Sequence, residues 1–385
     1  MYKIINRKKL VATAVADGIG HLLFGAYRLF RKNGKIRTEE IKDILIIRTA
    51  YIGDVVMTLP VLKPLKELFP GARISFLTAT GAIDVLKNNP FVDEVIAYSP
   101  FWFYPSQGGS YGQFIRDMRN RQYDLVIEAR ADIRDILLIA WRTKSRYRLS
   151  YDVGGGGYLL THVVPYPGLK HKVEYHLDLV RYLGYRGTDL EWGIYLTDAE
   201  KKRVDAVMSR YGFRQPFIAM HPGSRLSLKR WSIARYGALA DALADRLKLP
   251  IVLFGAPGEK VVIEEMIRGM RYNPISLAGI VNLREMAGIL GRAALFICND
   301  SAPMHIAAAM KTPTVAIFGP SKSVETRPYG DGHCVVEKEF PCRHACDENS
   351  CRHERYNACM EDISVDDVFS AASELLRSTT QNVQT

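Results

Sequence analysis

The chain has 385 residues, of which 48% are hydrophobic and 24% charged, enough apolar side chain to bury large cores and build two domains of ordinary size. Its net charge of +11 is unevenly placed, because residues 1–40 hold nine Lys and Arg against three Asp and Glu and so supply +6 of it. The basic excess is largely a tail's, and no nucleic-acid partner is expected for the body.

The tail carries Lys3, Arg7, Lys8 and Lys9, then a mostly apolar segment over 10–30, then Arg31, Lys32, Lys35 and Arg37. A secretory signal does not fit, because the small-residue site Ala14-Val15-Ala16 falls too early in the apolar stretch. Asp17, Gly18, Gly20, His21 and Arg28 interrupt it, which argues against a membrane-spanning helix. The expectation is an interfacial helix with basic flanks on an anionic cytoplasmic leaflet. A helix packed on the protein's own body is the competing expectation.

From Ile41 onward, short apolar runs alternate with helix-like segments, the pattern of a parallel sheet covered on both faces. Strands are predicted at 44–47, 73–78, 92–97 and 123–128. The loop after the first reads Arg48-Thr49-Ala50-Tyr51-Ile52-Gly53-Asp54. It lacks G-x-G-x-x-G, which argues against a nicotinamide enzyme. Loops at strand C-termini carry the chemistry in such sheets, so Asp54 is placed either to cap the next helix or to act as a catalytic base. Residues 101–112, rich in aromatics and glycine, read as a mobile loop that closes over ligands. After the fourth strand come Arg130, Arg134, Arg142, Lys144, Arg146 and Arg148, suited to gripping a phosphorylated or carboxylated acceptor. The alternative is a solvated helix face. Four glycines at 154–157 lack a Gly-Lys-Ser/Thr ending and read as a turn.

The second half repeats the alternation, with strands predicted at 217–220, 251–254, 274–277, 294–298 and 314–318. The exit His221-Pro222-Gly223-Ser224 offers bare backbone and a hydroxyl, and Lys229 a movable positive charge, all suited to phosphate oxygens. Glu259 is placed to accept from ribose hydroxyls, and the backbone near Val281 to edge a flat base. At Asn299-Asp300-Ser301-Ala302-Pro303-Met304-His305 a buried strand turns into a helix, capped by Asp300 or Ser301, with Pro303 in its first turn. The small Ser301 and Ala302 leave the first N–H groups uncovered for a diphosphate. Four successive strand exits thus present nucleotide-friendly groups in the same direction.

In order along residues 41–370, Gly53-Asp54, His221-Pro222-Gly223-Ser224 with Lys229-Arg230-Trp231, Gly255-Ala256-Pro257-Gly258-Glu259, Asn299 to His305 and Phe318-Gly319-Pro320 resemble glycosyltransferase family 9. Its best-known members are the ADP-heptose:lipopolysaccharide heptosyltransferases. The resemblance implies an α/β fold of the GT-B type, with two Rossmann-like doubly wound parallel-sheet domains facing a central cleft. After a basic amphipathic extension at 1–40, these are an acceptor-binding domain at 41–196 and a nucleotide-sugar-binding domain at 197–385 with a Cys-rich loop at 334–359. It implies an inverting enzyme that needs no metal and no cofactor beyond its nucleotide-sugar donor. By the same resemblance Asp54 is the general base, Lys229 meets the donor's nucleotide and phosphates, and Glu259 meets the ribose. Ser301 and Ala302 supply the diphosphate amides, Asp300 contacts the donor sugar, and His305 lies near the donor. Ser301-Ala302 stands where heptosyltransferases of the first type have Thr-Gly, and the N-terminal extension is not part of the family core.

The loop Cys342-x3-Cys346-x4-Cys351-x7-Cys359 also looks like one in some family members. Four thiolates there suit a structural zinc, with His344 and His353 as rivals, but the spacing is not a standard finger and reduced thiols in a surface lid are preferred. The expected function is sugar transfer, of heptose from ADP-heptose, onto a lipopolysaccharide core or related lipid-linked envelope glycan, by a cytoplasmic enzyme peripheral to the inner membrane. The rival functions are a nucleotide-sugar epimerase on a similar frame and a non-catalytic membrane-bound scaffold.

Overall fold

Short aliphatic runs closed by polar turns form twelve strands among the described residues, and every strand pair is parallel. The computed structural model describes residues 7–30, 36–106, 109–166, 168–344, 346 and 348–382. The chain divides into two units, Met1–Gly193 and Ile194–Thr385.

In the first unit β1 (Asp43–Arg48), β2 (Arg73–Thr78), β3 (Glu94–Ala97), β4 (Leu125–Glu128), β5 (Tyr147–Ser150) and β6 (His162–Val163) lie in the order β3-β2-β1-β4-β5-β6. In the second, β7 (Ile218–His221), β8 (Ile251–Leu253), β9 (Ile275–Ser276), β10 (Leu295–Asn299), β11 (Thr314–Phe318) and β12 (His333–Glu337) lie in the order β12-β11-β10-β7-β8-β9. Read from its third strand, each sheet has the same doubly wound order. Its direction of winding reverses between the first and fourth strands, β1 and β4 in one unit and β7 and β10 in the other. In such sheets a ligand is expected beyond the strand C-termini at that reversal.

The central strands are buried on both faces: Ile44, Leu45, Ile46 and Ile47, and likewise Leu295, Phe296, Ile297 and Cys298, have no exposed surface. In the second unit Trp231 and Tyr236 pack with Ile363, Val368 and Ala372, so the C-terminal helix Val365–Asn382 closes the core. Trp231 Nε1 also donates to Ile363 O at 2.9 Å.

Strands β5, β6 and β12 were not among the predicted strands. Arg148, expected in a basic acceptor cluster, is instead 5% exposed within β5. Its guanidinium donates to Leu159 O at 2.8 Å and Ser145 O at 2.7 Å. The aromatic stretch after β3 is also tied down rather than free where it is described. Trp102 Nε1 donates to Asp135 at 3.0 Å and Tyr111 Oη to Leu138 O at 2.7 Å. Residues 107–108 of that stretch lie outside the described residues.

The N-terminal segment forms α1 (Arg7–Phe30), while the rest of its basic flanks, residues 1–6 and 31–35, lie outside the described residues. The helix packs on the first unit through the residues that interrupt its apolar pattern. Asp17 accepts from Gly156 N–H at 2.7 Å, and Gly20 lies under Tyr158, where a Cβ would stand 2.2 Å from the ring. The glycine run is the other half of this joint. Gly155 and Gly156 have φ of +88° and +83°, and a Cβ on Gly154 would lie 1.7 Å from Ala131 O. The clash at Gly154 is with backbone, so it is relieved only by moving the 129–132 turn. Gly154→Ala is therefore expected to destabilise the protein by about 1–3 kcal/mol, the usual cost of overpacking. Thermal unfolding of variant and wild type checks this, and an unchanged Tm would mean that the turn yields freely.

Candidate functional site

In the first unit the site residue is Asp54, in α2 (Ile52–Val56), the helix that follows β1. It does not cap that helix: the N-cap position is Tyr51, with φ +34°, and no side chain serves there as a cap. The Asp54 carboxylate, 17% exposed, meets Arg48 Nη2 at 2.6 Å and Lys172 Nζ at 3.6 Å. Arg48 ends β1 and is 4% exposed, and its Nε and Nη1 are buried without a hydrogen-bond partner. His176 holds the far end of α2 by donating from Nδ1 to Met57 O at 2.9 Å. Burial, followed by the nearby Arg48 charge, pushes the His176 pKa down to about 3, so the ring is neutral.

Beneath this loop lie two fully buried carboxyls. Glu128, at the end of β4, accepts from Arg130 N–H at 3.0 Å, Ala131 N–H at 2.7 Å and Ser150 Oγ at 2.7 Å. Asp135 accepts from Thr49 Oγ1 at 2.7 Å and from Trp102 Nε1, so it links the Asp54 loop to the aromatic stretch. Burial, then the charge of Asp135, raises the Glu128 pKa to about 8; burial, then Asp132, raises that of Asp135 to about 6. Arg130 and Arg134 stack on Phe103, at 3.9 and 4.3 Å from the ring centroid, and both pair with Asp132. Tyr104 Oη accepts from Tyr51 N–H at 3.2 Å, which joins this group to the Asp54 loop. Arg142 is not part of it: it stacks on Trp141, 5.4 Å from the ring centroid.

In the second unit the exits of β7 and β10 are held together by Asn299. Its Nδ2 donates to Pro222 O at 2.7 Å, and its Oδ1 accepts from Trp231 N–H and Tyr236 Oη, both at 3.1 Å. Ser224 Oγ donates to Asp300 O at 3.2 Å. Lys229 Nζ lies 2.8 Å from Asp300 Oδ2 and 2.8 Å from Glu348 Oε2. Burial pulls the Lys229 pKa down, but the two carboxylates outweigh it and the net shift is upward. Glu259 accepts from Ala256 N–H at 2.7 Å and lies 3.3 Å from His221 Nε2. Its hydrogen bond to His221 holds its pKa below the ordinary value in spite of burial. A Cβ on Gly223 would stand 1.9 Å from Glu259 Oε1, so only glycine admits this approach. Beside the pair a cavity of about 270 Å³ is lined by Gly223, Arg230, Trp231, Ile233, Glu259 and Val262, among others.

Ser301 stands at the N-cap of helix Ala302–Ala309 with Pro303 in the first turn, but its hydroxyl donates back to Asn299 O at 3.2 Å instead of capping. Asp300 and His305 are buried, and Val281 is half-buried just before helix Leu283–Leu290. Gly223, Ser224, Lys229, Asp300, Ser301 and Ala302 thus gather at the β7/β10 reversal, with Glu259 at the neighbouring exit. Glu128, Asp135, Asn299, Arg48 and Glu348 were missed by sequence reading. Arg48 and Asn299 open stretches that sequence reading singled out, but for their neighbours; Glu128, Asp135 and Glu348 belong to no motif. Among the described residues no group of three or more His, Cys, Asp or Glu is placed to hold a metal ion. Among the described residues Cys342, Cys346, Cys351 and Cys359 form no disulfide. Burial, then Cys342 and Cys346, pushes the Cys359 pKa up to about 11. The side chain of His344 lies outside the described residues.

Residues 111–357 match the family described as Glycosyltransferase family 9 (heptosyltransferase). Lipopolysaccharide heptosyltransferase 3 of Escherichia coli (strain K12) is 28% identical over 347 residues, covering 85% of this chain and 96% of that protein. Among solved structures, a glycosyl transferase of family 9 from Veillonella parvula DSM 2008 superposes with a TM-score of 0.77 at 23% identity, over 90% of this chain and 100% of that one. The E. coli ADP-heptose lps heptosyltransferase II gives a TM-score of 0.70 at 21% identity, over 88% of this chain and 99% of that one. These likenesses give the chain the α/β fold of the GT-B type.

The raised pKa of Glu128 has a definite sign in stability. A carboxyl whose folded pKa lies at about 8 against an ordinary 4.5 adds stability that is complete below 4.5 and is lost as pH climbs through about 8. Glu128→Gln removes that dependence. The Tm of the variant minus that of wild type is therefore expected to increase steadily over this interval, and a flat difference would show that Glu128 is already ionised in the fold.

Proposed function

The chain belongs to glycosyltransferase family 9, and on that premise we propose that it transfers heptose from ADP-heptose to a lipopolysaccharide core or a related lipid-linked glycan. The observation that carries the reading is the Lys229–Asp300 pair, 2.8 Å long, at the head of helix Ala302–Ala309 with Ser224 beside it. A cation, a hydroxyl and the positive end of a helix dipole together suit a diphosphate. Glu259 supplies the acceptor that a ribose diol needs, and the adjoining cavity supplies apolar wall. The relatives named above carry the heptosyl and ADP-heptose part of the reading. The family assignment supports neither the epimerase nor the scaffold.

The reaction is a single displacement. Asp54 takes the proton of the acceptor hydroxyl as that oxygen bonds to the anomeric carbon from the face opposite the diphosphate. The carbon–oxygen bond to the diphosphate breaks, ADP leaves with the electron pair, and the centre inverts. Negative charge grows on the leaving group, where Lys229 and the helix N-terminus are aimed. No metal takes part in this scheme. Arg130 and Arg134, a planar pair braced on Phe103, hold an anionic group of the acceptor. The enzyme works at the cytoplasmic face of the inner membrane, where such an acceptor is carried on lipid.

Calorimetric titration with ADP and, in parallel, UDP comes first, and ADP is expected to bind selectively. Asp54→Asn is expected to lower turnover by about 10²–10⁴-fold with ADP affinity nearly unchanged; wild-type turnover in that variant would remove Asp54 from the base role. Lys229→Ala is expected to weaken ADP by roughly tenfold to a hundredfold. Glu348→Gln, which takes one competing carboxylate off Lys229, is expected to strengthen it. Equal affinity in all three proteins would refute the diphosphate role of Lys229.

A further inference from the structure

The two faces of α1 differ in a way that the transfer reaction does not require. At 100° per residue, Thr13, Asp17, Gly20, His21 and Phe24 fall on one side, and Val11, Val15, Ile19, Leu22 and Leu23 on the other. The first side is used by the protein itself. Asp17, 5% exposed, is tied to Gly156, and Phe24 stacks on Tyr158 at 5.6 Å and meets Trp141 edge-on at 6.0 Å. The second side is covered by nothing among the described residues: Val11 and Val15 are 57% exposed, Ile19 55%, Leu22 84% and Leu23 69%.

Between Leu10 and Phe24 the only charged residue is Asp17, and it is turned inward. The outward face over these turns is therefore wholly uncharged, apart from the edge of His21. Basic residues bracket it in sequence, with Arg7, Lys8 and Lys9 in the first turn of the helix and Arg28 near its end, and no acidic residue in the first turn. Such a helix, tied flat along one side, has the anatomy of an element lying in a lipid interface. No helix among the described residues is long and apolar enough to cross a membrane.

We propose that the Val11–Val15–Ile19–Leu22–Leu23 face of α1 is the surface by which this protein sits on an anionic lipid bilayer. A second copy is the other obvious cover, but pairing two such helices places basic ends against basic ends or alongside each other, which like charge opposes. Anionic headgroups favour the same ends. The seat is also positioned to matter. α1 rests on Gly155 and Gly156, a Cβ on Gly156 would stand 3.3 Å from both Ile133 and Ile136, and Gly154 abuts Ala131. The turn that carries Arg130 and Arg134 thus lies directly behind the residues that receive α1.

The test is co-sedimentation of the full chain with vesicles of phosphatidylcholine containing about a quarter phosphatidylglycerol, and with pure phosphatidylcholine vesicles. No donor or acceptor is present, so the result does not hang on the reaction. Wild type is expected to sediment with the anionic vesicles and to release as salt is raised. Ile19→Ser with Leu22→Ser, both outward positions, is expected to lower the bound-to-free ratio by about tenfold or more at unchanged Tm. Absence of binding at low salt, equal binding by wild type and the double variant, or a wild-type oligomer that the double variant dissolves would each overturn the proposal.

Discussion

The second unit of this protein depends on one buried amide. Parallel strands deliver their C-terminal loops to a common edge, but they do not say how those loops meet. Asn299 does, because its Nδ2 holds the backbone after β7 at Pro222 while its Oδ1 takes the N–H of Trp231 and the hydroxyl of Tyr236. The loop 222–231 is thereby fixed at both ends against the strand that precedes Asp300. Lys229 and Asp300, 71 residues apart, come to lie 2.8 Å from one another as a consequence. Asn299 has no exposed surface, so each of its lost bonds would leave an unsatisfied polar group inside the core.

The first unit uses the same reversal of winding with different chemistry. Arg48 ends β1 and Glu128 ends the adjacent β4, in neighbouring register positions, yet they do different work. Arg48 turns to Asp54, while Glu128 stays below and accepts two hydrogen bonds from the turn that carries Arg130 and a third from Ser150 Oγ. Asp135 then joins Thr49 to Trp102. The Asp54 loop is consequently braced from beneath by carboxyls that burial keeps from ionising readily, and from the side by Tyr104. The Asp54 carboxylate, paired with Arg48 and close to Lys172, keeps its geometry through these neighbours.

Sequence reading located these sites where the physics is local and missed them where it is not. The aliphatic runs of β1, β10 and β11 are buried on both faces and stand out as unbroken apolar segments. β5 reads Tyr-Arg-Leu-Ser and escaped, since an arginine in a strand interior signals exposure until Leu159 and Ser145 are known to offer it carbonyls. β12 is a half-buried edge strand, and β6 has two residues. Among site residues, Gly223, Ser224, Lys229, Asp300 and Ser301 follow strand exits and were legible on that ground. Glu348 was not, because its role exists only through a contact with Lys229 across more than a hundred residues of chain. Of the two expectations for α1, packing on the protein's own body is what one face does: the glycines and Asp17 that spoil a spanning helix are what let that face dock.

The two sites differ in how their buried cations are satisfied. Lys229 is 14% exposed and fully compensated, with one carboxylate from Asp300 at the β10 exit and a second from Glu348 in the cysteine-bearing loop. Under the proposed function a diphosphate arriving there replaces one anion by another, so the charge balance of the interior is conserved and the cost of desolvating the ammonium has already been met within the fold. Arg48 is the opposite case. Its Nη2 is engaged by Asp54, while Nε and Nη1 have no hydrogen-bond partner among the described residues. One unit therefore holds a buried ammonium between two carboxylates, and the other holds the Asp54 carboxylate against a buried guanidinium.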